Sequence, residues 1–157
     1  MDILVFEVGE QRYGVLSQDV QEIVRVVTIT PLPKAPAIVE GVINLRGAVV
    51  PVLDLRARFR LPAKAPELSD QLVIASAGSR RVAIRVDRTL ELLSIDPAEV
   101  TPAHLLARKV ESLAGVARLP DGLLLIHDLN TFLSHAEAEK LDEAVAGQGA
   151  RHAGAVD

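Results

Sequence analysis

Two stretches of fifteen residues in this chain resemble each other. The residues from Gly41 to Leu55 align with those from Gly115 to Leu129 at an offset of 74, and five of the fifteen positions are identical. Each copy has a glycine, two apolar runs separated by a short turn, and a final Asp-Leu, which is typical of two strands joined tightly. Two unrelated hairpins would share several of these residue types. The similarity can therefore be interpreted either as chance or as duplication of one unit.

Duplication predicts the fold class. Fainter similarity links the preceding segments, residues 12–15 with 81–84 and Glu22-Ile23 with Glu91-Leu92. Five short strands cannot bury both faces as an open sheet, so each unit would close into a small barrel. The sequence predicts a mostly β protein with two such barrels and a groove between them. The predicted strands are 3–8, 12–16, 39–45, 48–55, 71–76, 81–87, 115–119 and 123–127, with 23–29 also extended.

A few short helices are expected between and after the strands. Asp96 precedes a proline and should cap a short helix, and Ser17 should cap a short helical turn. Asp54 and Asp128 occupy equivalent strand ends, where each is predicted to cap the turn that follows. Apolar residues then recur at helical spacing after Asp128, which predicts a C-terminal helix.

The length of 157 residues fits one compact domain. We expect residues 1–146 to form it, with two intertwined barrel subdomains and the second barrel centred on about 67–127. The segment 147–157 is rich in glycine and alanine and is predicted to be a flexible tail.

Composition argues against several functions. The formal net charge is −4 and aromatic residues make up only 3%, so nucleic-acid binding is not expected. There is no cysteine, and no histidine has a metal-ligand spacing. His127 is predicted to be a strand-edge residue. Nucleophile and phosphate-loop motifs are absent. The sequence therefore predicts no enzyme, no catalytic residues, no metal site and no cofactor.

The arginines suggest exposed surface. Arg46 stands between two apolar runs and precedes a glycine, which indicates an exposed tight turn, although an ordinary solvated hairpin tip would fit equally. Arg56, Arg58 and Arg60 alternate with apolar residues and are predicted to form a solvated face, with Phe59 pointing inward.

The sequence predicts a soluble, cytoplasmic protein. A secretory signal is not recognisable, and the longest aliphatic clusters are too short to span a bilayer, so direct membrane insertion is not expected.

Residues 36–59 read PAIVEGVINLRGAVVPVLDLRARF. This run closely resembles the signature of the CheW family of chemotaxis coupling proteins, a Pro-rich connector followed by GVxNLRGxxxPxxDLRxxF. Val20-Gln21-Glu22-Ile23 resembles the family's VxEI element, and Val86-Asp87 its later VD. Gly115-Val116 with Asp128-Leu129 resembles the closing motif, so the resemblance covers about residues 1 to 135.

The resemblance implies two five-stranded SH3-like barrels and a non-enzymatic adaptor. Such an adaptor joins the cytoplasmic tip of a methyl-accepting chemoreceptor to the regulatory domain of a CheA-type histidine kinase, at membrane-associated arrays. It also implies kinase contacts on the second barrel, around Gln71 to Asp87, without naming individual residues, and allows weak ring-like self-association. The implied receptor-binding residues are Val20, Glu22, Ile23, Gly41, Asn44, Arg46 and Gly47.

Two other functions stay open. The chain could be an SH3-like peptide-binding module, or a kinase-regulatory module of the same fold outside receptor arrays; the Met1 start and the acidic tail favour a free-standing protein. Three positions depart from the family pattern, namely Ile38, Arg60 and His127, and none lies in the NLRG core.

Overall fold

The computed structural model describes residues 1–106 and 113–155, with side chains described up to Gly147. The described residues form eleven β-strands, two α-helices and four single turns of 3-10 helix. The strands are β1 (Asp2–Val8), β2 (Gln11–Leu16), β3 (Val20–Arg25), β4 (Val39–Leu45), β5 (Ala48–Asp54), β6 (Gln71–Ala77), β7 (Arg80–Val86), β8 (Arg88–Ser94), β9 (Val100–Pro102), β10 (Leu113–Leu119) and β11 (Gly122–His127); the α-helices are α1 (Leu55–Arg58) and α2 (His135–Ala155).

The mostly β prediction is confirmed, and the strands form two sheets. One sheet has five strands in the order β3-β6-β7-β5-β4, and the other has six in the order β8-β1-β2-β11-β10-β9. Thr30, five residues after β3, pairs with Val42 of β4, so a single segment connects both edges of the five-stranded sheet. In the six-stranded sheet β9 follows β8 and pairs with β10 in the same way. Both sheets therefore close on themselves.

The registers show that the sequence repeat is a structural repeat. Gly14 of β2 lies opposite Ile126 of β11 in a parallel pair, and Ala83 of β7 lies opposite Val52 of β5 in another. These two pairs are equivalent in the repeat. The alignment of residues 12–15 with 81–84 relates Gly14 to Ala83, and the offset of 74 relates Val52 to Ile126. Chance similarity between unrelated hairpins would not reproduce a parallel pairing in register, so we take the two barrels as copies of one unit.

The two barrels share the chain in an interlocked way. The hairpin β1–β2 belongs to the sheet of β8 to β11, whereas β6–β7 completes the sheet of β3 to β5. Residues 67–127, predicted as the centre of one barrel, are thus divided between both sheets. The turn of each of these two hairpins is bound by a side chain that follows a strand instead of lying in one. In the β1–β2 turn the Gly9 amide donates to Asp87 Oδ2 at 2.8 Å, and in the β6–β7 turn the Gly78 amide donates to Asn130 Oδ1 at 3.1 Å.

The core has three parts, one inside each barrel and one between them. The part between the barrels contains all four aromatic side chains of the chain. Tyr13 stacks on Phe59 with ring centroids 4.7 Å apart and on Phe6 at 6.2 Å, and Phe132 meets Phe59 edge-on at 6.3 Å. The aromatic rings therefore pack together between the two barrels. Phe59 points inward, as predicted.

Most predicted caps are present. The carboxylates of Asp54, Asp96 and Asp128 each accept a hydrogen bond from the backbone amide two residues later, as expected. Ser17 does not cap: it lies inside a single 3-10 turn whose preceding residue, Leu16, makes no side-chain cap, and β3 follows at once. The β-branched residues of that segment favour a strand over a continued helical turn.

The C-terminal helix begins with a capping box that the sequence prediction missed. Ser134 Oγ accepts from the Glu137 amide at 3.1 Å, and Glu137 Oε1 accepts from the Ser134 amide at 2.9 Å. Leu141 and Ala144 bury one face of α2 in the core between the barrels. The helix continues to Ala155, through most of the segment predicted as a flexible tail.

Candidate functional site

The turn that carries Arg46 is a two-residue hairpin loop between β4 and β5. Leu45 and Ala48 pair on either side of it, and both loop residues have positive φ, 49° at Arg46 and 88° at Gly47. This is the geometry of a type I′ turn, whose twist matches that of the flanking strands. Asn44 Oδ1 accepts from the Gly47 amide at 2.8 Å. Asn44 and Gly47 thus shape the turn that presents Arg46 to solvent.

Arg46 forms an ion pair with Glu22. The guanidinium Nη2 contacts Glu22 Oε1, so the pair joins the β4–β5 turn to β3 at the opposite edge of the sheet. Two of the predicted receptor-binding residues are therefore in direct contact. The Arg46 side chain is still 67% exposed. An exposed pair contributes about 0–1 kcal/mol to stability, so its main effect is to orient a guanidinium that retains donors for a second carboxylate.

Two exposed apolar residues are close to this pair in the chain, Ile23 next to Glu22 and Val49 three residues after Arg46. Ile23 is 40% exposed and Val49 is 57% exposed. A bulge in β3 places Val20 opposite Ala75 and Ile23 opposite Val73, whereas Glu22 lies opposite Ile74. Val20 is half-buried and packs on the core between the barrels. Of the two predicted apolar receptor-binding residues, Ile23 is thus the more exposed, and Val49, which the sequence prediction did not name, is exposed as well.

Gly41 does not present a surface for binding. It is buried, and a Cβ built there would lie 2.2 Å from the backbone oxygen of Thr30. Thr30 and Val42 exchange two backbone hydrogen bonds beside it, at 2.9 and 2.8 Å. Glycine is needed here because the segment after β3 must approach β4 closely to close the barrel.

The range from Gln71 to Asp87, predicted to contact a kinase, forms the hairpin β6–β7 and the residue after it. Both strands are internal in the five-stranded sheet, so neither offers an exposed β-edge to a partner. The apolar side chains of this hairpin from Leu72 to Ala75 and from Val82 to Ile84 are fully buried.

A buried charged cluster lies inside the same region and was missed. Arg85 Nε donates to Glu40 Oε1 at 2.7 Å, Nη1 to Asp70 Oδ2 at 3.0 Å, and Nη2 to the Lys64 carbonyl at 2.8 Å. Burial raises the pKa of Glu40, and the hydrogen bond from Arg85 opposes the rise only in part. Arg85 stands within the apolar run from Val82 to Val86, which was the one signal of a buried ion pair. The cluster fixes the irregular segment before β6 against the barrel.

A second ion pair connects the two barrels. Arg56 Nη2 lies 3.1 and 3.0 Å from the two carboxylate oxygens of Asp87, and Asp87 also accepts from the Gly9 amide. The prediction of a solvated arginine face is wrong for Arg56 and Arg58, whose side chains are only 11% and 13% exposed. Arg58 bonds Glu137 of α2 at 2.5 Å. These arginines hold elements together instead of facing solvent.

Within the described residues, no group of three or more histidine or carboxylate side chains is arranged to hold a metal ion. The equivalent carboxylates of Asp54 and Asp128 are engaged as caps. Among the helices of the described part of the chain, none has the length and apolar character needed to cross a membrane.

Comparison with known proteins points to one family. The model of the CheW-like domain matches residues 2–137. The chain is 34% identical over 140 residues to the chemotaxis protein CheW of Rhizobium meliloti strain 1021, covering 88% of this chain and 90% of that protein. It is 31% identical over 145 residues to CheW of Treponema pallidum strain Nichols, covering 88% and 85%.

A solved structure agrees with the fold. The scaffolding protein TtCheW from Thermoanaerobacter tengcongensis superposes with a TM-score of 0.78 at 29% sequence identity, covering 87% of this chain and 94% of that one.

Proposed function

The chain belongs to the CheW-like family of chemotaxis adaptor proteins, which are not enzymes, and on this premise we propose that it couples chemoreceptor tips to a CheA-type histidine kinase. It would act in the cytoplasm, at membrane-associated receptor arrays. The observation that carries the proposal is the exposed turn at Arg46, whose guanidinium is paired with Glu22; exposed Ile23 follows Glu22 in β3, and exposed Val49 lies three residues after Arg46. An exposed arginine with apolar residues nearby in the chain suits an amphipathic helix that carries a carboxylate.

The receptor helix would lie against the five-stranded barrel beside the Arg46 turn. Ile23 and Val49 would meet its apolar ridge, while Arg46 would bind a carboxylate beside that ridge. Glu22 keeps the guanidinium in place until the partner arrives. Gly41, Asn44 and Gly47 contribute through the backbone geometry described above and need not touch the receptor.

We place the kinase contact on the six-stranded barrel. The repeat makes Leu92 equivalent to Ile23 and Leu123 equivalent to Val49, and register supports the first equivalence, since Ile23 lies opposite Val73 and Leu92 opposite Leu4. Leu92 is 70% and Leu123 is 52% exposed. This pair offers a kinase regulatory domain more apolar surface than the range from Gln71 to Asp87, whose apolar side chains are mostly buried.

The alternative of a binder for proline-rich peptides has less support. Such binders need a groove lined by exposed aromatic rings. All four aromatic side chains of this chain instead pack together between the barrels.

The receptor site is tested by charge reversal. Arg46→Glu should weaken binding to a purified receptor cytoplasmic fragment about tenfold or more, as expected for a central arginine. Arg118→Glu is the matched control, because Arg118 is exposed and occupies the position in the second hairpin that Asn44 occupies in the first. Equal binding by wild type and Arg46→Glu would contradict the site.

A double variant separates recognition from barrel stability. Glu22→Arg/Arg46→Glu restores an ion pair across the barrel with the charges exchanged. If Arg46 meets a receptor carboxylate, the double variant stays weak; recovered binding would mean that the pair acts only within the barrel. Kinase autophosphorylation with receptor, kinase and adaptor together then tests coupling, and Leu92→Asp should lose kinase binding while receptor binding is retained.

A further inference from the structure

Exposed side chains continue along β3 and beyond it. Successive residues of a strand point to opposite faces, and Ile23 and Arg25 lie on the exposed face of β3. The same alternation extends past the end of the strand, where Val26 packs against the core inside the five-stranded barrel and Val27 is 48% exposed. One face therefore carries a row of an apolar residue, a cation and a second apolar residue, namely Ile23, Arg25 and Val27.

An open apolar groove lies at the end of this row. Its volume is about 420 Å³, and it is lined by two segments of the chain, residues 26–29 and residues 66–68. Val27 thus belongs both to the row and to the groove. Leu68, from the second segment, is 94% exposed and is the most exposed large apolar residue in the described part of the chain.

Buried charges fix the segment that carries Leu68. Asp70 is only 2% exposed, and its Oδ2 accepts from the Glu67 amide at 2.9 Å and from Arg85 Nη1 at 3.0 Å. Arg85 also donates to the Lys64 carbonyl at 2.8 Å. These bonds lie on both sides of Leu68 along the chain. The backbone that presents Leu68 is therefore held in place before any partner binds, which lowers the entropic cost of binding.

The charges of the row and the groove favour an acidic partner. Arg25 is exposed, and within the described residues no side chain forms an ion pair with it. Glu67, which lines the groove, is already paired with Lys64 at 3.3 Å. Arg25 can thus bind a carboxylate from a partner. Because Ile23 belongs both to this row and to the proposed receptor site, the helix expected at Arg46 is also the expected occupant of the groove.

We propose that the receptor-binding surface continues along β3 into this groove: the receptor helix contacts Ile23, binds Arg25 through a carboxylate and places an apolar side chain against Val27 and Leu68. The inference rests on the proposed function and extends its site beyond the residues that the family resemblance implies. An extended chain rises about 3.3 Å per residue, so Ile23 and Val27 are about 13 Å apart. A helix rises about 1.5 Å per residue, so apolar residues about seven to eleven apart on one helix face span this distance. The receptor helix should carry an acidic residue between them.

Titration with a purified receptor cytoplasmic fragment tests the proposal on wild type, Arg25→Glu, Leu68→Asp and Leu105→Asp. The changes at Arg25 and Leu68 should each weaken binding about tenfold or more. Leu105→Asp is the matched control and should bind as wild type does, because Leu105 is 67% exposed and lies in the 3-10 turn after β9. Wild-type affinity of Leu68→Asp would overturn the proposal. So would loss of binding to the isolated kinase regulatory domain with receptor binding retained, since the groove would then belong to the kinase.

The same titration separates this inference from the function on which it rests. If Arg46→Glu weakens receptor binding and Leu68→Asp does not, the extension into the groove is wrong while the site at Arg46 stands. If neither variant weakens binding, the proposed receptor site is wrong as well, and the extension falls with it.

A second measurement does not depend on a loss of affinity. The chain contains no cysteine, so Leu68→Cys and Leu105→Cys each provide a single site for an environment-sensitive fluorophore. The receptor fragment should shift the emission of the label at position 68 to the blue and leave the label at position 105 unchanged. An unchanged spectrum at position 68 with saturating receptor would overturn the proposal. A blue shift that grows with the concentration of this chain alone would also overturn it, because a second copy would then fill the groove.

Discussion

Replacing Gly41 with alanine should destabilise the protein by closing the space through which the backbone of Thr30 passes. The new Cβ would lie 2.2 Å from the Thr30 oxygen and 2.8 Å from its carbonyl carbon, and both are backbone atoms that cannot rotate away. Relief requires the Thr30 segment and β4 to separate. This places the residue among the determinants of barrel closure, although the family resemblance assigns it to receptor binding.

The magnitude follows from the contacts. A separation of about 0.8 Å brings the Cβ contact to a tolerable distance, and it lengthens the two hydrogen bonds between Thr30 and Val42 beyond the usual range. Two neutral hydrogen bonds contribute about 1 kcal/mol each, and forced overpacking costs about 1–3 kcal/mol. The lower entropy of the unfolded alanine chain offsets about 0.4–1 kcal/mol. The net loss should be about 2–4 kcal/mol, or roughly 5–15 °C in melting temperature.

Three glycine-to-alanine variants make the assay specific. At Gly115, the equivalent position, the close atoms are a Val100 methyl at 2.6 Å and the Thr101 oxygen at 2.9 Å, so a smaller loss is expected because the methyl can move. At Gly147 in α2 nothing lies within 4 Å, and alanine should be neutral or slightly stabilising. Urea unfolding should rank the losses Gly41, Gly115, Gly147. A Gly41→Ala protein as stable as wild type would refute the clash.

Three other substitutions test the caps and the acid limb of stability. Asp54→Ala removes the acceptor of the Arg56 amide and should cost about 0.5–2 kcal/mol in urea unfolding; an unchanged midpoint would exclude the capping role. Ser134→Ala removes half of the capping box and should cost about 1 kcal/mol in a thermal melt, with no loss if the box is dispensable. Burial alone would raise the pKa of Glu137, but the Ser134 amide and the Arg58 guanidinium outweigh it and lower the pKa below 4.5. Its contribution is therefore present above pH 4.5 and lost as the pH falls through the folded pKa, so Glu137→Gln should flatten the acid limb; parallel curves for variant and wild type would contradict this.

Local patterns were sufficient for the strands that end in tight turns. Arg46-Gly47 and Pro120-Asp121-Gly122 mark their hairpins by turn chemistry, and short apolar runs mark the strands on either side. The aspartate caps were predictable for the same reason, since the acceptor and donor are two residues apart. The strand β8 lacked such signals: its neighbours supply no tight turn, and Leu92 and Leu93 break the alternation.

The other features that could not be predicted depend on residues far apart in the chain. Arg56 and Arg58 alternate with apolar residues, and only the fold brings Asp87 and Glu137 to them. Gly41 is constrained by a segment eleven residues earlier. The sequence repeat predicted two barrels, but which hairpin completes which barrel depends on the packing between them, and the repeat is the same in either arrangement.

The interlocked arrangement explains why so much charge is placed at the junction of an adaptor. Two partners can be held at a defined geometry only if their binding surfaces cannot move relative to each other. Here Asp87 receives hydrogen bonds from both Arg56 and Gly9, and Arg58 of α1 binds Glu137 of α2, so side chains connect separate elements at several points. Paired, part-buried charges have strict geometric requirements and thus specify orientation more than they add stability. The external surfaces then need few specific groups, because the scaffold already fixes where each surface lies.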